Sequence, residues 1–152
     1  MKKTLVFDMD GTIADFYGVN NWLEYLNNEN TYPYEVAEPL YDMEELVNLL
    51  HCFQLLGWEI VVTSWLAKNS SEDFKNRTRQ AKREWLEMFN FPYDEIHLVQ
   101  YGTTKANCTR KNGGIQILVD DNEKVRNGWH LGDTINANEN IIPILHKILM
   151  TI

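Results

Sequence analysis

An apolar run that ends on two carboxylates and a glycine constrains the fold of this chain most. Thr4 to Phe7 are apolar or β-branched, which predicts a short buried strand. Asp8 and Asp10 follow it directly, and Gly11 can turn the backbone sharply beside a ligand. Open α/β sheets bind ligands at the carboxyl ends of their strands. Because a hard cation takes oxygen ligands and keeps waters that a phosphate can displace, the segment predicts a magnesium-dependent phosphoryl-transfer site.

Strand and helix signals alternate along the rest of the chain. Short apolar runs predict three further strands, at residues 59–62, 95–99 and 115–119. Apolar spacings of three and four predict helices capped by Asp42 and by Ser71, one near 123–129 and one over about 139–150. This alternation predicts an α/β, Rossmann-like fold with a mainly parallel sheet and helices on both faces.

The later strand ends also carry polar residues. The second predicted strand runs into Thr63 and Ser64, whose hydroxyl groups can donate to a phosphate oxygen. Lys105 follows the third strand in a glycine-containing loop and can balance phosphate charge. The fourth strand ends on Asp120 and Asp121, which can complete an oxygen-ligand set for a divalent cation. Each motif is common alone, but all of them share one position, the carboxyl end of a strand.

The composition disfavours two classes of function. The 152-residue chain has a formal net charge of −8, which argues against polynucleotide binding because that affinity comes largely from lysine and arginine. No apolar run approaches the length of a membrane span or follows a signal-peptide pattern. The two cysteines form no C-x-x-C pair and fit a reducing compartment. We therefore expect a single-domain cytoplasmic protein that acts on a small molecule.

Residues 15–41 have a character of their own. They hold seven of the chain's 18 aromatic residues among asparagines, glutamates and prolines, which predicts a small cap insertion between the first strand and the Asp42 helix. Phe16 and Tyr17 of this segment, together with Trp65 after the second strand, are candidates for stacking on a planar base. The alternative is that the insertion's aromatic residues form its own core.

Two groups of basic residues are predicted to be solvated rather than functional. Lys75, Arg79 and Lys82 fall opposite the apolar side of the helix that Ser71 begins, which is typical of a solvated face. Arg110 and Lys111 lie in a segment predicted to be a solvated loop.

The four strand-end motifs resemble, in chain order, those of the haloacid dehalogenase superfamily of phosphohydrolases. They are Asp8-x-Asp10-Gly11-Thr12, Thr63-Ser64, Lys105 and Asp120-Asp121. The resemblance implies that Asp8 attacks phosphorus to form an aspartyl-phosphate and that Asp10 protonates the leaving oxygen and then activates water. It also implies that Thr63 holds a phosphoryl oxygen and that Lys105 stabilises the nucleophile and the transferring group.

The same resemblance implies a Mg²⁺ ion held by Asp8 and Asp121, by Asp120 through water, and by the backbone carbonyl of Asp10. Within the superfamily, the D-M-D-G-T-I-A-D opening and the D-D-N ending are most similar to the 5′(3′)-deoxyribonucleotidase group and its short bacterial and phage relatives. The implied function is a phosphomonoesterase acting on a deoxynucleoside monophosphate. A sugar phosphate or other small phosphometabolite as substrate, or a non-catalytic phosphate-binding module, remain open.

Overall fold

Over the residues that the structure describes, the central sheet has five parallel strands in the order β3-β2-β1-β4-β5. The computed structural model describes residues 2–109 and 114–151, so Arg110 and Lys111 lie outside the described residues. The strands are β1 Lys3–Phe7, β2 Trp58–Trp65, β3 Glu95–Val99, β4 Ile115–Asp120 and β5 Thr134–Asn136. The helices are α1 Trp22–Asn27, α2 Tyr32–Val36, α3 Met43–Leu55, α4 Glu72–Met88, α5 Glu123–Asn127 and α6 Ile141–Met150. Short 3₁₀ helices span Phe16–Gly18 and Lys105–Asn107.

Both faces of the sheet are covered, as the sequence predicts. One face of β1 buries Leu5 and Phe7 in the larger apolar cluster, which also takes residues from α3, α4 and α6. The opposite face buries Val6 in a smaller cluster with Ala106 and Trp129. Strands buried on both faces read as continuous apolar runs, which is why the parallel sheet was visible in the sequence. The predicted α/β Rossmann-like fold is therefore confirmed.

Side-chain caps begin both helices that were predicted to start after Asp42 and Ser71. The carboxylate of Asp42 accepts a hydrogen bond from the Glu45 N–H at 3.1 Å, at the start of α3. The hydroxyl of Ser71 accepts one from the Phe74 N–H at 3.1 Å, at the start of α4. A polar side chain at this position satisfies one of the amides that a helix start leaves unpaired, so these two starts were readable from sequence.

The register of the sheet brings the chemistry-bearing residues into one row. Phe7 pairs with Val62 of β2 and with Val119 of β4. The residues that follow these three are Asp8, Thr63 and Asp120. Because side chains alternate between the two faces along a strand, all three point to the same face of the sheet. The carboxyl edge of the three central strands is thus polar at one level.

The insertion at 15–41 packs on α4 through a small aromatic core. The rings of Phe16 and Tyr34 stack at a centroid separation of 4.6 Å, and both pack with Phe74 and Ala81 of α4. The Glu29 carboxylate accepts hydrogen bonds from the N–H and the hydroxyl of Ser71, each at 2.8 Å. The insertion is thereby attached to the amino-terminal half of α4.

None of the helices that the structure describes is both long enough and apolar enough to cross a bilayer.

Candidate active site

Three carboxylates meet at the carboxyl edge of β1 and β4. Asp8 follows β1, and its N–H still donates to the Val119 carbonyl at 2.9 Å. Asp120 ends β4, and Asp121 comes directly after it. Asp8, Asp120 and Asp121 each offer a carboxylate oxygen, and these oxygens lie within 4.8 Å of one another. The sequence placed all three at strand ends, and the fold brings them together.

The Lys105 ammonium group bridges two of these carboxylates. The short 3₁₀ helix that begins at Lys105 leaves the side chain 4% exposed, with Nζ 2.9 Å from Asp8 Oδ1 and 2.7 Å from Asp120 Oδ2. Burial disfavours the charged ammonium group, but the charges and hydrogen bonds of Asp8 and Asp120 outweigh this effect and raise the pKa of Lys105 to about 12. Likewise the Lys105 charge and hydrogen bonds outweigh burial and lower the pKa of Asp8. Asp8 is therefore held as an ionised carboxylate, the form that can act as a nucleophile.

Thr12 and Gly11 hold Asp121 close to Asp8. The Thr12 hydroxyl lies 3.1 Å from Asp8 Oδ2 and 3.1 Å from Asp121 Oδ1, and it accepts the Asp121 N–H at 3.2 Å. Gly11 has φ +79°, and a Cβ there would lie 2.5 Å from Asp121 Oδ2. Only glycine allows this backbone to approach the carboxylate so closely.

The donor set fits a hard divalent cation. Burial and the Asp8 charge raise the pKa of Asp120 to about 6. Burial, the contact with Asp8 and the Asp8 and Asp120 charges raise the pKa of Asp121 to about 7. A cation among these oxygens would relieve the repulsion, and Mg²⁺ prefers carboxylate oxygen ligands. Asp8, Asp120 and Asp121 are thus the residues that would hold it.

Asp10 occupies a different position from these three. Its carboxylate lies outside the group of oxygens that can share a cation and contacts Lys82 instead, with Nζ 2.9 Å from Oδ2. Burial raises the pKa of Asp10, and Lys82 offsets this only in part. A carboxyl group with a raised pKa beside an ionised one is the arrangement that separates a general acid from a nucleophile. Metal binding through the Asp10 backbone carbonyl remains a prediction.

Lys82 was predicted to lie on a solvated face, and this prediction was wrong. Lys75 and Arg79 are partly exposed, whereas Lys82 is 0% exposed. The spacing carried the signal, because Lys82 lies four residues after buried Thr78 and three before buried Trp85, within the apolar stripe of α4. A charged side chain favours the prediction of a solvated residue, whereas the spacing of Lys82 from Thr78 and Trp85 indicates a buried one.

Thr63 and Ser64 have different surroundings. Thr63 is fully buried in the row beside Asp8, and among the described residues its Oγ1 has no hydrogen-bond partner. Ser64 lines the cavity above the carboxylates and accepts a hydrogen bond from Lys82 Nζ at 2.8 Å. Thr4, Thr78 and Thr109 also have buried hydroxyl groups without a partner among the described residues, and Thr63 does not line the cavity. Binding of a phosphoryl oxygen by Thr63 therefore remains a prediction.

A cavity of about 310 Å³ opens over these groups. Tyr17, 53% exposed, forms part of its wall on the insertion side. Trp65 forms the other wall, with its Nε1–H donating to the Thr103 carbonyl at 2.8 Å and its ring 5.0 Å from that of Tyr101. Phe16 also reaches the cavity but is 3% exposed within the insertion's core. Tyr101 was not singled out in the sequence, because a lone tyrosine after a strand gives no signal.

The comparisons with known proteins bear on the fold. Neither the protein-family models nor the curated protein sequences gave a match to this chain. The crystal structure of D,D-heptose 1,7-bisphosphate phosphatase from Burkholderia Thailandensis is similar to it, with a TM-score of 0.53 and 15% sequence identity over 87% of this chain and 75% of that chain. The chain therefore has the α/β fold of a solved phosphatase.

Proposed function

We propose that this protein is a magnesium-dependent phosphomonoesterase of the haloacid dehalogenase superfamily that works through an aspartyl-phosphate. The observation that carries the proposal is the bridge from Lys105 to Asp8 and Asp120, which keeps a nucleophilic carboxylate ionised inside a cluster that fits a cation. The similar fold of a phosphatase supports it.

The residues suggest a two-step reaction. Asp8 attacks phosphorus, the bond from phosphorus to the leaving oxygen breaks, and the Asp10 proton passes to that oxygen. Water then attacks the aspartyl-phosphate and gives its proton back to Asp10, which releases inorganic phosphate and restores the Asp8 carboxylate. The Thr63 hydroxyl and Lys105 orient the phosphoryl group and balance its charge. Bound Mg²⁺ would supply further charge neutralisation.

We propose a deoxynucleoside monophosphate as substrate. The aromatic side chains of Tyr17 and Trp65 flank the cavity, and a planar base can stack face to face on such rings. The net charge of −8 disfavours polynucleotide ends. A sugar phosphate is the alternative, since the fold is similar to that of a phosphatase named for a heptose bisphosphate.

Hydrolysis of p-nitrophenyl phosphate tests the chemistry. We expect steady turnover in Mg²⁺ that is lost in excess EDTA, together with inhibition by Ca²⁺, whose larger and looser coordination fits the reaction poorly. Asp8→Asn should keep its melting transition and lose more than about nine-tenths of the rate, because an amide is not a nucleophile. Full activity in EDTA would refute the metal assignment, and a rapid Asp8→Asn enzyme would refute the nucleophile.

A pair of substrates tests the specificity. Thymidine monophosphate should have a kcat/KM about five-fold to a hundred-fold above that of ribose 5-phosphate, from roughly 1 to 3 kcal/mol of base stacking. Equal values would reject the nucleotidase proposal and leave the phosphatase chemistry in place.

A further inference from the structure

The middle of α4 places a fully buried ammonium group beside the candidate acid–base residue. Lys82 Nζ lies 2.9 Å from Asp10 Oδ2, 2.8 Å from Ser64 Oγ and 2.9 Å from the Trp65 carbonyl oxygen. An ammonium group has three N–H donors, so these contacts use all of them. The ring of Tyr34 covers the group from the insertion side, with its centroid 5.1 Å from Nζ.

Lys82 and Lys105 differ in what they can reach. Lys105 lines the cavity and donates to two carboxylates, which leaves one N–H for a substrate oxygen. Lys82 is 0% exposed and has no donor left. Lys82 can therefore donate no hydrogen bond to a substrate, so apart from the through-space effect of its charge it acts through the groups that it contacts.

Asp10 is the contacted group that takes part in chemistry. Its Oδ2 is fixed by Lys82, while the described residues give Oδ1 no hydrogen bond. Ser64 and the Trp65 carbonyl belong to β2, so they fix the ammonium group to the sheet rather than to a loop. One oxygen of the carboxyl group is anchored, and the other is free to carry a proton at the cavity that Asp10 lines.

We propose that Lys82 is the positioning residue of Asp10, holding its carboxyl group where the proton can reach the leaving oxygen. The inference rests on the proposed phosphatase function. In the step concerned, the Asp8 oxygen binds phosphorus, the bond to the leaving oxygen breaks and the Asp10 proton moves to that oxygen. A poor leaving group needs this proton, whereas a good one departs without it, so Lys82 matters in proportion to the basicity of the leaving group.

Two aryl phosphates test this assignment through kcat/KM, which reports the transfer to Asp8 and not the later hydrolysis. Lys82→Met should lower kcat/KM about a hundredfold for phenyl phosphate and less than about tenfold for 2,4-dinitrophenyl phosphate, the usual range for a lost general acid. Lys75→Met is the matched control, since Lys75 pairs with Glu72 on the same helix away from the site. In Lys75→Met, the ratio of kcat/KM for phenyl phosphate to kcat/KM for 2,4-dinitrophenyl phosphate should equal that of the wild type.

A double-mutant cycle separates action through Asp10 from other roles. Asp10→Asn should also lose more kcat/KM on phenyl phosphate than on 2,4-dinitrophenyl phosphate, and we call this difference between the two losses the split. Adding Lys82→Met to Asp10→Asn should change the split no further. Equal losses on both substrates in Lys82→Met, or an additional split in the double variant, would overturn the proposal.

Folding and the proposed function are checked separately. If Lys82→Met does not melt cooperatively, Lys82→Arg keeps the charge with a different geometry, and it should show a smaller split in the same direction. A Lys82→Arg enzyme with equal losses on both substrates would also overturn the proposal. A wild-type protein that hydrolyses neither substrate would instead refute the phosphatase function itself.

Discussion

Phe16 and Tyr17 are neighbours in sequence with different environments. Phe16 is 3% exposed and stacks on Tyr34, whereas Tyr17 is 53% exposed. Tyr17 lines the cavity together with Asp8, Asp10 and Asp121, and burial with the charges of these carboxylates raises the pKa of its hydroxyl. Truncation of Phe16 should therefore lower stability, whereas truncation of Tyr17 should affect substrate binding.

Phe16→Ala should lower the free energy of unfolding by about 3 to 5 kcal/mol, as for other buried aromatic residues. Tyr17→Ala should change stability little and raise KM for thymidine monophosphate more than for p-nitrophenyl phosphate. Urea denaturation and steady-state kinetics on both variants check this. A stability loss in Tyr17→Ala as large as that in Phe16→Ala would contradict the assigned environments.

The positions of some functional residues could be predicted from the sequence, and the burial of others could not. The meeting of Asp8, Lys105 and Asp120 was predictable, because strand ends in a parallel sheet share one edge. The burial of Lys82 was not predictable from its residue type, because a lysine is almost never fully buried unless it is paired. Burial of a lysine depends on partners that arrive from distant parts of the chain, here Asp10 and Ser64.

At the scale of elements, α4 depends on a cap that two segments share. Ser71 accepts the Phe74 N–H, and its own N–H and hydroxyl donate to Glu29. Ser71→Ala should lower the free energy of unfolding by about 1 kcal/mol. Ser71→Thr keeps the hydroxyl and serves as the control. Thermal melts that place both variants level with the wild type would argue against a stabilising cap.

The strands differ in how well their bounds could be predicted. β3 was predicted at its observed length, but β2 extends three residues past the predicted 59–62. Its last three residues pair with β3, opposite His97, Leu98 and Val99, and such pairing is set by the partner rather than by local apolar pattern. β5, Thr134–Asn136, was missed because three residues among glycine, aspartate and asparagine give no periodicity.

For the whole molecule, the carboxylate cluster makes the free energy of unfolding depend on pH. Asp120 and Asp121 have folded-state pKa values of about 6 and about 7, above the ordinary 3.8. Between pH 3.8 and about 7, the folded state keeps protons that the unfolded state has lost. The free energy of unfolding therefore falls as pH rises through this window. The pKa of Asp8 is lowered, so its contribution is constant in this window.

In EDTA, the melting temperature should therefore fall as pH rises from 3.8 through about 7. Mg²⁺ should raise it by binding the native state, and more so at the higher pH, where the carboxylates are ionised. Scanning calorimetry across this range, with and without Mg²⁺, makes the comparison. Asp121→Asn should flatten the pH dependence in EDTA and weaken the response to Mg²⁺. A melting temperature that climbs with pH in EDTA would contradict the crowding of the cluster.

The attachment of the insertion to α4 has a kinetic consequence. A hinge that swung residues 15–41 away would break both hydrogen bonds from Ser71 to Glu29 and expose Phe74 and Ala81, which are buried. We expect the amides next to the buried rings of Phe16 and Tyr34 to exchange with solvent more slowly than those of α1, which buries no residue. For the proposed enzyme, slow exchange there would mean that the width of the opening, rather than the timing of a gate, decides which molecules reach Asp8.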